Sequence, residues 1–79
     1  MALTDIERKI LELLGSSNLL TKSELGIKVK QAGFNGTADI GLQRLRQIGY
    51  VEHVESLGNC FVLTQDGIKA YEDLKKRGF

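Results

Sequence analysis

Side chains suited to paired hydrogen bonds lie along one side of residues 37–48. Apolar residues recur there at three- and four-residue intervals, which predicts an amphipathic helix. The side opposite the apolar stripe carries Thr37, Ile40, Gln43, Arg44 and Gln47, with Arg46 on a flank. An arginine guanidinium can pair with O6 and N7 of guanine, and a glutamine amide with N6 and N7 of adenine. Polar residues opposite a leucine stripe are also typical of any solvated helix face, so both interpretations stay open.

Cys60 and His53 are the only cysteine and the only histidine of the chain, and they do not predict a reactive site. A zinc site needs three or four ligands, and a Cys–His nucleophile needs a third group and an oxyanion hole. Residues 33–36 contain two glycines but predict a turn, because a phosphate-binding loop needs a lysine after its last glycine. We therefore expect no enzyme activity, no metal and no cofactor.

Composition predicts one ordinary soluble domain over residues 1–79. The chain is 42% hydrophobic and 27% charged, with apolar residues in every segment, which argues against disorder. Its 11 basic and 10 acidic residues argue against nucleic-acid binding through bulk charge alone. No apolar run approaches the roughly 18 residues that span a membrane, and the first residues lack a signal-peptide pattern. The single cysteine fits a reducing compartment, so we expect a cytoplasmic protein.

Two capping boxes predict where the first two helices begin. Thr4 with Glu7 forms one, and Thr21 with Glu24 forms the other: the threonine side chain accepts from the glutamate amide, and the carboxylate reaches back. We expect the first helix to bury Ile6, Ile10, Leu13 and Leu14, with Glu7, Arg8 and Glu12 facing away. The second helix should run to about Gln31. Its buried residues are expected to be Leu25 and Val29, with Ile27 off that face.

A change of spacing at Gly49 predicts that the third helix ends there and that a β-hairpin follows. The strands should cover residues 50–55 and 60–63, and a turn centred on residues 57–58 would set Val54 opposite Phe61. The core side of the hairpin would then carry Val54, Phe61 and Leu63, and the outer side His53, Glu55, Cys60 and Val62. A last helix, starting near Thr64, should bury Ile68, Tyr71 and Leu74.

The predicted order of helix, short strand, helix, helix, hairpin and helix resembles the winged helix-turn-helix superfamily. The likeness is strongest to compact MarR-like and PadR-like transcriptional regulators. Three segments carry this likeness. The first is Leu20 to Leu25, at the entry to the second helix, and the second is Thr37 to Val51, with Leu42, Leu45 and Gly49. The third is Leu63-Thr64-Gln65-Asp66-Gly67, which is similar to the family's L-T-x-x-G and is followed by Tyr71. The resemblance implies a mainly α fold with a small β-hairpin, of the α+β class.

This resemblance implies a DNA-binding protein, specifically a small transcriptional regulator of duplex DNA. The third helix would enter the major groove, with Ile40 against a thymine methyl group. Lys22 and Lys28, on or beside the second helix, would hold backbone phosphates, although scattered lysines also serve solubility. The wing, residues 52–59, departs from the family because it holds two glutamates and no lysine or arginine. That departure and Ile40 favour an alternative, a winged-helix module that binds a protein partner; a homodimer also stays open.

Overall fold

The fold is a helical domain closed on one side by a small sheet; the computed structural model describes residues 3–17, 19–34 and 38–78. In chain order the elements are α1 (Asp5–Ser17), β1 (Leu20–Thr21), α2 (Lys22–Gln31), α3 (Ala38–Gln47), β2 (Val51–Val54), a short 3-10 turn (Glu55–Leu57), β3 (Cys60–Leu63) and α4 (Gln65–Arg77). The strands are antiparallel in the order β1-β3-β2. This arrangement confirms the predicted winged helix-turn-helix fold.

The core lies around α1, which packs against α2, α3, α4 and β3. Its buried side chains are Ile10, Leu11, Leu14, Leu20, Leu25, Val29, Ala38, Leu42, Leu45, Val51 and Phe61. Burying one such aliphatic or aromatic side chain contributes about 1.5–3 kcal/mol, so this cluster is the main source of stability. The predicted burial of Leu25 and Val29 on α2 and of one apolar side of α3 is confirmed. Leu11 is fully buried as well, although its spacing did not predict this.

The hairpin forms where it was predicted, but its register differs by one residue. Val54 lies opposite Cys60, and His53 lies opposite Phe61. The shift arises because residues 55–57 form a 3-10 turn, followed by Gly58 and Asn59 with positive φ angles of 82° and 59°. The connection is therefore longer than the predicted tight turn. Since side chains alternate across a strand, the shift places His53 on the same side as Phe61 and Val54 on the same side as Cys60. Cys60 is buried, so the prediction that it faces outward was wrong.

Thr64 and Gly67 fix the start of α4 against the hairpin. The Thr64 hydroxyl accepts from the Gly67 amide at 3.1 Å and donates to the Gly49 carbonyl at 2.5 Å. Gly67 itself lies against the backbone of Tyr50, so that a Cβ at this position would lie 2.0 Å from the Tyr50 carbonyl oxygen. This close approach places the Gly67 side of α4 against the hairpin. Because successive helix residues point about 100° apart, the next residue, Ile68, faces away from that contact. Ile68 is 47% exposed, and the prediction that it is buried was wrong.

The other predicted residues of α4 do contribute to the interior. Leu74 is partly buried against the core, together with Ala70, one turn closer to Gly67. Tyr71 is half-buried, and its ring lies where a Cβ on Gly15 of α1 would be, at 2.4 Å from Cδ1. The contact stripe of α4 is thus centred on Gly67, Ala70 and Leu74, and Ile68 falls outside it.

We predict that Gly67→Ala lowers the free energy of unfolding, because the new methyl group would overlap the Tyr50 backbone, which cannot move aside like a flexible side chain. The loss should be about 1–3 kcal/mol, as for other overpacked sites. Gly26→Ala is the matched control, since Gly26 lies in α2 with nothing within 4 Å of its added methyl group. That control should gain about 0.5–1 kcal/mol. Urea unfolding measures both, and equal stability of the two variants would contradict the packing described.

Candidate nucleic-acid interface

The outer face of α3 carries most of the side chains that were predicted to bind DNA. Ala38, Gly41, Leu42 and Leu45 are buried on the inner side. Gly41 allows α3 to lie close to α1, because a Cβ there would lie 2.8 Å from Cδ1 of Ile10. The outer side exposes Ile40, Gln43, Arg44, Arg46 and Gln47, with Ile40 at 75%. Thr37, the remaining candidate on this helix, lies outside the described residues.

Arg44 is engaged by a buried carboxylate of α1. Its Nε lies 3.3 Å from Oε2 of Glu7, a side chain that is only 2% exposed. Oε1 of Glu7 accepts from the Thr4 amide at 2.9 Å, so one carboxylate both caps α1 and holds α3. The prediction that Glu7 faces away from the core was therefore wrong. Burial is tolerated because both carboxylate oxygens have partners, as buried charges require.

Arg46 differs from the other arginines in its surroundings. Arg8 pairs with Asp5, Arg44 with Glu7 and Arg77 with Asp73. Within the described ranges, Arg46 alone among the four arginines has no carboxylate at ion-pair distance. Its exposed guanidinium is therefore the cation on α3 that is best placed to meet an anion from outside.

A surface cleft of ≈ 610 Å³ separates the start of α2 from the hairpin, and we call it the α2–wing cleft. It is lined by Thr21, Lys22, Ser23, Arg46, His53, Gly58, Asn59 and Phe61. The His53 ring stacks on the Phe61 ring, with centroids 4.9 Å apart and planes at 25°. The sequence did not predict that His53 lies in this cleft, because alternation alone does not determine the register of the hairpin.

Two smaller clefts adjoin the α2–wing cleft at Arg46. One is lined by Gln43, Arg46, Gln47, Val51, Glu52 and His53, and the other by Lys22, Asp39, Leu42, Gln43, Arg46 and Phe61. The structure therefore brings together Lys22, Gln43, Arg46 and Gln47 from the predicted set. Ile40, Arg44 and Lys28 do not line these clefts; Lys28 is half-buried on α2.

Acidic groups partly neutralise the positive charge around the clefts. Lys22 Nζ lies 3.2 Å from Asp39 Oδ1, and both side chains are more than half exposed, so the pair adds at most about 1 kcal/mol to stability. Glu24 completes the predicted capping box, its carboxylate accepting from the Thr21 amide at 3.0 Å. That backbone hydrogen bond, then the Thr21 side chain, lowers the pKa of Glu24. A carboxylate thus already occupies the start of α2.

Comparisons with known proteins support the fold. Two crystal structures of NadR, one ligand-free and one with 4-hydroxyphenylacetate, superpose on 94% of this chain with TM-scores of 0.78 and 0.79. Sequence identity is 24% in both cases, so the likeness establishes the winged-helix fold alone. This chain spans about half of those chains, 52% and 54%. No protein-family model matches the sequence, and the comparison with curated proteins gives no match.

The described residues contain no cluster of three or more histidine, cysteine, aspartate or glutamate side chains arranged to hold a metal ion. No helix in the described part of the chain is long and apolar enough to cross a membrane.

We predict that Arg44→Ala lowers the stability of the fold, because it leaves the buried Glu7 carboxylate without its partner on α3. The loss should be about 1–3 kcal/mol, the usual cost of a buried polar group left unsatisfied. Arg46→Ala, the matched control two residues away, should stay within about 0.5 kcal/mol of the parent. Thermal unfolding followed by circular dichroism compares them.

A double variant isolates the ion pair from other effects of losing the Arg44 side chain. Glutamine also serves in capping boxes, so Glu7→Gln keeps the cap of α1 and removes the charge. Combined with Arg44→Ala it should recover most of the lost stability. Additive losses in the double variant would show that Arg44 acts through packing and not through Glu7.

Proposed function

We propose that this chain is a duplex-DNA-binding winged-helix protein, acting as a small transcriptional regulator. Its single strongest support is Arg46, an exposed arginine without a carboxylate partner among the described residues, placed where the outer face of α3 meets the α2–wing cleft. An α-helix fits the major groove of B-DNA, and arginine is the side chain that binds phosphate and guanine through paired hydrogen bonds.

Each exposed residue of α3 takes a distinct role in this proposal. Gln43 and Gln47 lie next to Arg46 and contact base edges, adenine being the usual partner of a glutamine amide. Arg46 contacts a backbone phosphate from the flank of the helix, and Lys22 and Lys28 on α2 add further phosphate contacts. Arg44, which the sequence favoured for guanine, acts instead as a positioning residue, because Glu7 holds its guanidinium against α1.

The wing contributes few cations to such a complex. Glu52 and Glu55 are exposed on the hairpin, and the segment 52–59 contains no lysine or arginine. The number of phosphates neutralised per chain is therefore small, and the affinity should fall only modestly with salt. A homodimer on a two-fold site would double these contacts, which makes a dimer the expected binding unit.

We predict that Arg46→Ala weakens binding to all DNA sequences alike and makes the slope of log affinity against log salt shallower by about one unit. Gln47→Ala should cost about 1–3 kcal/mol on a site selected from random duplexes and relax preference at one base pair. Fluorescence titrations with labelled duplex at two salt concentrations measure both effects. Lys69→Ala on α4 is the matched control and should bind like the parent. A parent chain that binds no duplex at low salt would refute the proposal.

The alternative, a winged helix that binds a protein partner, is favoured by exposed isoleucines. Ile40 on α3 is 75% exposed and Ile27 on α2 is 58% exposed. Exposed apolar side chains mark a partner-binding surface where they form one contiguous patch. The acidic wing also favours a protein partner over DNA. An apolar patch joining Ile40 to Leu57 of the wing would favour such a partner, but the Leu57 side chain lies outside the described structure.

Ile40→Lys discriminates between the two functions, because they predict opposite results. On a DNA-binding face, the added positive charge should strengthen binding to random duplex and steepen the salt slope. On a partner-binding face, the lysine would bury a charge in an apolar contact, and the variant would show no affinity for DNA. Ile40→Ser is the control for loss of the apolar side chain alone. The high exposure of Ile40 means that both variants should fold.

A further inference from the structure

His53 is the only histidine of the chain, and the proposed function leaves it without a role. It is half-buried in the α2–wing cleft, held by its stack on Phe61, and it shares the cleft with Lys22 and Arg46. Three side chains that can carry positive charge thus come from three different elements, α2, α3 and β2. The α2–wing cleft thus brings these side chains to one concave surface.

The neighbours of His53 define the charge balance in the cleft. Lys22 faces it from α2 and Arg46 from α3, while Glu52 on its own strand lines the adjoining cleft. Thr21 of β1 and Phe61 of β3 add uncharged groups. Lys22 is already paired with Asp39. Arg46 is then the only permanently charged group of the cleft without a carboxylate partner in the described ranges. An anion that enters the cleft would therefore lie beside both Arg46 and His53.

We propose that the α2–wing cleft binds one backbone phosphate of the duplex and that protonated His53 contacts this phosphate. DNA binding would then be coupled to the uptake of one proton by the His53 imidazole. The inference rests on the proposed function and names one contact within it. A protonated imidazole donates through both ring nitrogens and carries the charge that a phosphodiester oxygen needs. The Glu24 carboxylate already accepts from the Thr21 amide at the start of α2, so this amide does not serve the phosphate, which is held by the side chains of the cleft.

The experiment measures DNA affinity against salt at about pH 5 and about pH 8, the range in which histidine changes its charge. In the parent chain, the slope of log affinity against log salt should be steeper by about 0.9 at the lower pH, equivalent to one more phosphate contact. His53→Gln keeps a hydrogen-bonding side chain without the charge, and its slope should be the same at both pH values. Because the chain has one histidine, a pH effect lost in this variant belongs to His53.

A second measurement serves if His53→Gln fails to fold. NMR titration of the His53 ring in the parent chain should show its protonation midpoint moving to higher pH when duplex is added, since a nearby phosphate favours the imidazolium. The same titration with inorganic phosphate separates a free ion from a backbone phosphate. A midpoint that moves with inorganic phosphate but not with duplex would overturn the proposal in favour of a site for the free ion.

The outcomes also separate this inference from the proposed function. A parent chain that binds duplex with the same salt slope at both pH values refutes the role of His53 and leaves DNA binding standing. A parent chain that binds no duplex at either pH refutes both. A steeper slope at low pH that persists in His53→Gln assigns the proton to another group and also overturns the inference.

Discussion

The carboxylate of Glu7 joins the helix at the centre of the core to the helix at the surface. One oxygen caps α1 through the Thr4 amide, and the other binds Arg44 on α3. Because the group is buried, it stabilises the fold only while both partners are present. The orientation of α3, and with it the direction of Gln43, Arg46 and Gln47, is thus tied to the first turn of the chain's first helix.

Much of the positive charge near α3 is already compensated within the domain itself. Arg44 faces Glu7 and Lys22 faces Asp39, so that Arg46 stands out by contrast. The proposed DNA complex would depend on a few well-placed groups and hydrogen bonds more than on a broad positive field. The slightly positive net charge of the chain, +1, agrees with that description. Local arrangement, and not total charge, is what sets Arg46 apart from the other cations near α3.

Features set by neighbouring residues could be predicted from the sequence, and features set by distant contacts could not. The capping box at Thr21 and the buried stripe around Leu45 depend on spacing within one helix, and both were found. The exposure of Gln43, Arg46 and Gln47 follows from the same periodicity. The burial of Glu7 depends on Arg44, far along the chain, and the exposure of Ile68 depends on the contact between Gly67 and Tyr50. The position of His53 required the left-handed conformation of Asn59, which alternation does not predict.

Cys60 gives the hairpin a built-in chemical reporter. It is the only cysteine of the chain, it lies in the central strand of the sheet, and it is 5% exposed. A thiol reagent can therefore react only when β3 separates from its neighbours or the whole domain unfolds. The rate of that reaction under native conditions, divided by the rate for the unfolded chain, gives the free energy of the opening that exposes Cys60 when reclosing is faster than labelling. Ligands that clamp the wing against α2 would slow the labelling, and ligands that bind elsewhere would slow it only by raising global stability.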